Sequence, residues 1–521
     1  MTPKFKKKFR VAAYFKSIFC LLLLLALWTC SKQIPEPEAV AIIGDRIITA
    51  EEFIERAELT PRQPYCSSNT PKDKAIILNT LIAEKLLSLE MDQESALLNQ
   101  ELFQAYLKGR KEQFMREMLF YSEAYNKVNL DSAEIVKTFA LAGREYDLEF
   151  YSLDSAQARI LQGNFDEHSN LKPQIFDEIN LADKPPQRKL SWNDSDTPDI
   201  VQQALFTRPI TAGQVVGPLP VDYNKYLVIK VIRWTDTKPL GGIQAQTRWN
   251  EVTHKLKNMK ASSIWTNFTN NLMQHKKIEF DKNSFPKIFR MFETWLVQTQ
   301  ENNQSGISLK RKNDPEANDF ALTFDDKQFL QSPFCKINDD QWFVNDFRTA
   351  LMSHPLVFRE KEVASREALL EQFKLALADL IKDQYITREA YKKSIDKTDQ
   401  VRRHVRKWQD ALVAVYHRDK FIKQISQRKD FDPNRLSGSH TYFDDYLDSL
   451  KQVYDSKIKI NMAALNKIKL TSAPMFVTRP NLPYIIPTPA FPLLTDNARL
   501  DFKHSHDNAM QSYSKRTGVP K

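Results

Sequence analysis

Side-chain catalysis needs a nucleophile beside a base, two convergent carboxylates or a cluster of metal ligands, and this chain offers little of any. No GxSxG, HExxH or phosphate-binding loop pattern occurs in its 521 residues. The carboxylates of Glu51-Glu52 and of Asp325-Asp326 are adjacent in sequence, so on a helix they diverge and read as solvated faces. Beyond residue 30 the cysteines are Cys66 and Cys335, with no CxxC and no His/Cys cluster to hold a metal, and no cofactor is expected. Two unpaired thiols are the simpler reading, a single disulfide between them the alternative. One histidine, His168, falls between 141 and 240, in a polar stretch where a solvated ring is the simpler reading than a catalytic one.

The first thirty residues set the compartment. Lys4, Lys6, Lys7, Lys8, Arg10 and Lys16 precede an apolar run over 17–29 that is short for a membrane span and suited to a signal-peptide core. Leu27-Trp28-Thr29-Cys30 ends it and resembles the lipobox of bacterial lipoproteins, in which the cysteine is acylated and becomes the first mature residue. Trp28 and Thr29 are bulkier than the residues usual there. An uncleaved anchor and an ordinary secretory signal are the alternatives. Ser31-Lys32 carries no inner-membrane retention aspartate, so the resemblance implies the periplasmic face of the envelope, outer membrane before inner. Setting the six leader bases aside leaves 69 bases against 65 acids, and no sustained basic stripe, so no nucleic-acid partner is expected.

An apolar fraction of 42% and a charged fraction of 27% suit a soluble globular protein with several cores. Only 11 glycines occur, so helix should dominate. After a proline-bearing tether, VAIIGDRIITAEEF at 40–53 reads as a hairpin turning at Gly44-Asp45, with Thr49 and Glu52 as a capping box opening a helix. Ile77, Leu78, Leu81, Ile82, Leu86 and Leu89 then mark a second helix. Leu98, Leu102, Tyr106, Phe114, Met118 and Tyr125 mark a third, over about 95–128. Between 144 and 238 strand-like pieces appear at 146–151, 189–192 and 226–232. The order of residues 48–125 recurs over 342–351, 375–383 and 401–412, and the helix-then-strand pattern of 265–280 recurs over 443–460. Six prolines between 474 and 492 forbid helix there, so that segment should lie extended over another surface or remain mobile.

The hairpin and capping box, followed by LNTLIAEKLL at 78–87 and a long helix, resemble the N-terminal module of the SurA/PpiC/PrsA group of extracytoplasmic folding factors. Ala204-Leu-Phe206, then Ile210 to Pro218, then Tyr226 to Val231, resemble the closing half of a parvulin-type prolyl isomerase domain. Parvulins lower the roughly 18–20 kcal/mol rotation barrier by binding the twisted amide in an apolar pocket beside a polar, two-histidine cluster. In this chain the resemblance places the first histidine position near Glu149 and the second at Tyr226 or Leu227, so no catalytic residue is assigned. Trp192, Val201 and Phe206 match apolar positions of the family's substrate pocket, and core packing explains them equally well.

The expected architecture is therefore α+β and mainly helical, with two copies of a SurA-type helical module and an inserted parvulin-like domain. Residues 1–29 form the signal peptide, 30–39 the lipidated tether, 40–140 the first module and 141–240 the parvulin-like domain. A helix and strand in 241–300 complete the first module, 301–440 form the second, 441–470 complete that one, and 471–521 form a proline-rich segment and tail. The expected function is a lipid-anchored periplasmic chaperone for unfolded or newly exported chains, outer-membrane proteins among them, without efficient isomerase activity. An active peptidyl-prolyl isomerase and a structural lipoprotein subunit of an envelope machine are the alternatives.

Overall fold

The computed structural model describes residues 38–500 apart from 91–96, 99, 162–184, 195, 223, 239–240, 300–306, 309–318, 361, 430, 433–441 and 474. Cys30, the tether before Glu38, His168 and the tail after Leu500 lie outside the described residues. The architecture is α+β, mainly helical with small antiparallel sheets. Among the described residues no helix is long and apolar enough to cross a membrane.

The chain opens with the hairpin β1 (Ala39–Ile43) and β2 (Arg46–Thr49), turning through Gly44 at φ +58°, a conformation that suits glycine. Thr49 caps α1 (Ala50–Glu58) by accepting from the Glu52 N–H at 3.1 Å. The Glu52 carboxylate leaves the other half of the expected box unmade and meets Lys85 Nζ at 2.8 Å instead. Next come α2 (Pro71–Glu90) and α3 (Glu101–Glu123). Helix α2 is covered almost all round, which is why its apolar residues show no single stripe.

A second hairpin, β9 (Pro333–Ile337) and β10 (Asp340–Phe343), likewise leads into a short helix, α10 (Val344–Ser353), and two long ones, α11 (Arg366–Lys392) and α12 (Asp399–Ile425). Between the hairpins run α4 (Ser132–Leu141), a four-stranded unit that carries α5 (Ser155–Leu161) and α6 (Asp199–Phe206), α7 (Gly242–Met273), the short strand β7 (Ile278–Phe280), α8 (Ser284–Thr299), β8 (Ile307–Ser308), which pairs with β11 (Glu362–Val363), and α9 (Lys327–Leu330). After α12 come α13 (Tyr442–Val453), β12 (Ile458–Ile460) and α14 (Met462–Lys467).

The two hairpin units are completed crosswise, which corrects the expected assignment of 241–300 to the first and 441–470 to the second. Strand β12 pairs antiparallel with β1, Ala41 opposite Ile460, while β7 pairs with β9, Ile278 opposite Ile337. The long helices cross over too: α12 packs on α2, and α3 packs on α10 and α11 as well as on α12. At 1.5 Å per residue α3 and α12 each span roughly 35–40 Å, enough to carry the chain from its own hairpin to the other one. The first core accordingly joins Val40, Ile48, Phe53 and Leu81 to Phe443, Leu447 and Leu465 from the far end of the sequence. The second core joins Phe289 and Phe292 of α8 to Phe334, Phe347 and Phe373. Because α3 is clasped on several sides, its buried apolar residues are Phe103, Leu107, Met115 and Leu119, one position away from the expected stripe, and Leu102 is exposed.

A separate sheet of order β4-β3-β6-β5 is built from β3 (Arg144–Leu153), β4 (Gln187–Ser191), β5 (Val215–Asp222) and β6 (Lys225–Asp236). The helix preceding β5, Asp199–Phe206, packs with α4 and α7 on one face, burying Leu148, Leu205, Phe206, Ile229, Val231, Val252 and Leu256 together. Gly217 sits at φ +126°, and a Cβ there would lie 2.5 Å from the Leu227 carbonyl, so both conformation and space demand glycine.

Cys66 lies in the first core and Cys335 in the second, both free. Burial raises both thiols, Cys335 to about 12, so neither supplies a thiolate near neutral pH.

Candidate functional site

In the four-stranded unit, Trp192, Val201 and Phe206 come together, but as core. All three are at most 2% exposed, the Trp192 and Phe206 rings meet edge-on at 5.4 Å, and Tyr146 closes on Phe206 at 5.2 Å. Their surfaces are spent on one another and on Leu205 and Val231, leaving no face for a ligand. Strand register puts the two candidate positions on β6, Tyr226 and Leu227, on opposite faces of the sheet. Glu149 lies opposite Lys230 and Leu153 opposite Tyr226, so by alternation Glu149 and Tyr226 share a face. Leu227 points into the helix-covered core. Four residues still separate the Glu149 level from Tyr226, about 13 Å at strand spacing, and Glu149 accepts a 2.9 Å hydrogen bond from Gln187 Nε2. Nothing there reproduces a pair of imidazoles around a proline. Among the described residues no group of His, Cys, Asp and Glu converges as metal ligands.

What the structure does assemble is a groove on the first helical unit, filled by the chain's own residues 475–498. The segment joins no helix and no sheet, as its prolines require. Side chains of the helices hold its main chain. Gln113 of α3 accepts from the Tyr484 N–H and donates to the Tyr484 carbonyl, each at 2.9 Å. Arg110 Nη1 donates to the Ile486 carbonyl at 2.6 Å, Arg56 Nη2 to that of Ala490 at 2.7 Å, Thr80 Oγ1 to that of Pro492 at 2.8 Å and Asn79 Nδ2 to that of Asn497 at 2.6 Å.

Apolar seats alternate with these grips. Tyr484, Phe491 and Leu494 are buried, the last two in the first core. The Tyr484 hydroxyl donates to the Ser353 carbonyl at 3.2 Å, and its ring meets Tyr106 edge-on at 5.3 Å. The Arg110 guanidinium lies over Trp408 at 3.6 Å and over Tyr484 at 4.6 Å. Gly109 makes the seat possible, since a Cβ there would lie 2.2 Å from both the Ser353 carbonyl and the Tyr484 hydroxyl.

Under this groove lies a charge network whose centre, Arg56, Glu84, Lys85 and Asp410, is buried. Arg56 meets Glu84 through two hydrogen bonds of 2.9 and 2.7 Å. Lys85 reaches Glu52, Glu84 and Asp410, and Asp410 also accepts from Ser88 at 2.6 Å and from Arg46 at 3.3 Å. Burial alone would neutralise Glu84, but Arg56 and Lys85 hold its carboxyl below the usual range. Burial likewise opposes the charges of Arg56 and Lys85, and the surrounding carboxylates overcome it and raise both. Arg56, Glu84 and Lys85 thus stay charged, and the network positions α1, α2 and α12.

A second opening, about 610 Å³, lies between the turn of the second hairpin, α3, α10 and α11, lined by Lys108, Asp339, Asp340, Trp342, Asp346 and Arg388 among others. Its charges are of both signs, with Arg388 3.4 Å from Asp340, so it offers water a good surface and an unfolded apolar chain a poor one.

None of the groove residues was singled out from sequence. The signals that pointed to them were Glu84-Lys85 set inside an apolar helix and Gly109 set inside another helix of a glycine-poor chain.

No family model matches the chain, and no curated protein matches it. Among solved structures it is similar to foldase protein PrsA from Streptococcus pneumoniae, at 14% identity over 42% of this chain and 86% of that one, with a TM-score of 0.18. At that score the likeness carries no argument about fold or activity.

Proposed function

We propose that the protein is an extracytoplasmic folding factor, tethered by a lipid on Cys30, that binds non-native chains, outer-membrane proteins among them, through its helical units. On this reading the inserted domain keeps a parvulin-like outline without an efficient isomerase site. The observation that carries the proposal is the groove that grips an extended segment by its main-chain carbonyls. Every polypeptide has those carbonyls, so such a grip tolerates varied sequence, which is what a general folding factor needs. The absence of isomerase activity is argued from Glu149 and Tyr226, whose side chains stand about four residues apart along one sheet face.

A refolding assay limited by proline isomerisation tests the reading. Added protein is expected to bind the refolding chain and slow its recovery; acceleration would make it an isomerase. Metabolic labelling with palmitate is expected to mark the full-length chain and to leave Cys30→Ala unmarked; an unmarked wild-type chain removes the lipid anchor from the account.

A further inference from the structure

We propose that the groove between α2, α3 and α12 binds extended, proline-containing polypeptide supplied by another molecule, and that residues 475–498 are its resident competitor. The inference rests on the folding-factor reading and names the ligand class and the gate of that site.

Three features of the groove fit a ligand better than a permanent part of the core. First, the segment is held by side chains acting on its backbone, through Arg56, Thr80, Arg110 and Gln113, and it adds no strand to any sheet. Second, its two buried aromatic anchors each stand shortly before a proline, Tyr484 three residues before Pro487 and Phe491 directly before Pro492. The gripped carbonyls of Ile486 and Pro492 lie at or just before those prolines. This is how aromatic-lined grooves read a preformed, low-entropy extended chain. Third, the Trp408 indole N–H is buried beside Ile486 and has no hydrogen-bond partner among the described residues, so the seat has a donor that its present occupant does not use. A client carrying aromatic residues one to three positions before a proline would meet the same grips, and its apparent affinity would be set by the fraction of chains in which the resident segment has lifted.

The test uses full-length protein and a fluorescein-labelled peptide copying residues 479–498, with a scrambled peptide as control. In anisotropy titrations Tyr484→Ala, which weakens the resident segment only, is expected to bind the peptide about tenfold more tightly than wild type, because more grooves stand open. Adding Arg110→Ala to Tyr484→Ala is expected to abolish that gain. In hydrogen exchange on the wild-type chain, saturating peptide is expected to deprotect amides of residues 475–498 while α2 and α3 keep theirs. If Tyr484→Ala fails to fold by circular dichroism, the wild-type exchange experiment decides alone. Unchanged protection of residues 475–498 at the highest soluble peptide concentration, or equal binding of the scrambled peptide, overturns the proposal. Suppression of client aggregation without peptide exchange would sink this site and leave the folding-factor reading standing; peptide exchange without suppression would do the reverse.

Discussion

Replacing Gly109 by alanine sets two physical effects against each other. Gly109 lies inside the helix Glu101–Glu123, where alanine is intrinsically better by about 1 kcal/mol. The new methyl, however, would arrive 2.2 Å from the Ser353 carbonyl and 2.2 Å from the Tyr484 hydroxyl. The carbonyl belongs to the last residue of Val344–Ser353 and has little freedom, and the tyrosine ring is buried. Forcing a methyl into such a contact costs about 1–3 kcal/mol, and losing the Tyr484 to Ser353 hydrogen bond costs about 1 kcal/mol more. Gly109→Ala is therefore expected to destabilise the protein by about 1–3 kcal/mol after the propensity gain, with the loss concentrated where the proline-rich segment docks. Urea midpoints measure the total, and hydrogen exchange over residues 475–498 locates it. A variant as stable as wild type, with those amides equally protected, would refute the reasoning, because propensity would then have won.

Glu84→Gln keeps the shape of the buried network but strands Arg56 and Lys85 without their shared carboxylate, so a loss of about 3–5 kcal/mol in denaturant stability is expected. Asp399→Asn, at an exposed pair with Arg402, should change the midpoint little. Phe206→Ala is expected to cost about 3–5 kcal/mol in stability and to leave client binding by the folded fraction unchanged, since the ring is core. A selective loss of binding at full stability would restore Phe206 to a ligand pocket. Burial holds His404, stacked on Phe114 at 4.1 Å, and His417, bonded to the Leu87 carbonyl and Tyr446, below the ordinary histidine pKa. The unfolded chain then takes protons first, so stability is expected to be full above the unfolded value of about 6.5 and to fall as pH drops below it. Urea midpoints from pH 8 to pH 5 should show the decline, and combining His404→Gln with His417→Gln should flatten it.

Local patterning made individual elements readable. Gly44-Asp45 marked the hairpin turn, Thr49 the helix start, and the prolines after 474 an extended segment. The apolar matches at 265–280 and 443–460 identified two helix-and-strand units. Which hairpin each unit joins was not readable. Strands IEF and IKI carry the same alternation, and either fits either edge, so the choice falls to where the long helices deliver the chain. The groove was hidden for a related reason. Arg56, Arg110 and Gln113 are ordinary helix residues until the segment from the far end of the chain lies across them. Trp192, Val201 and Phe206 matched a family pocket by residue type, and residue type does not distinguish a pocket wall from a core wall.

The most direct test of the account is light scattering as a urea-denatured outer-membrane β-barrel is diluted into buffer with increasing amounts of the full-length protein. Scattering is expected to fall in proportion to the protein added and to recover when the peptide copying residues 479–498 is present in excess. Scattering that stays at the level of the client alone, even with the protein in large molar excess, would contradict a folding factor.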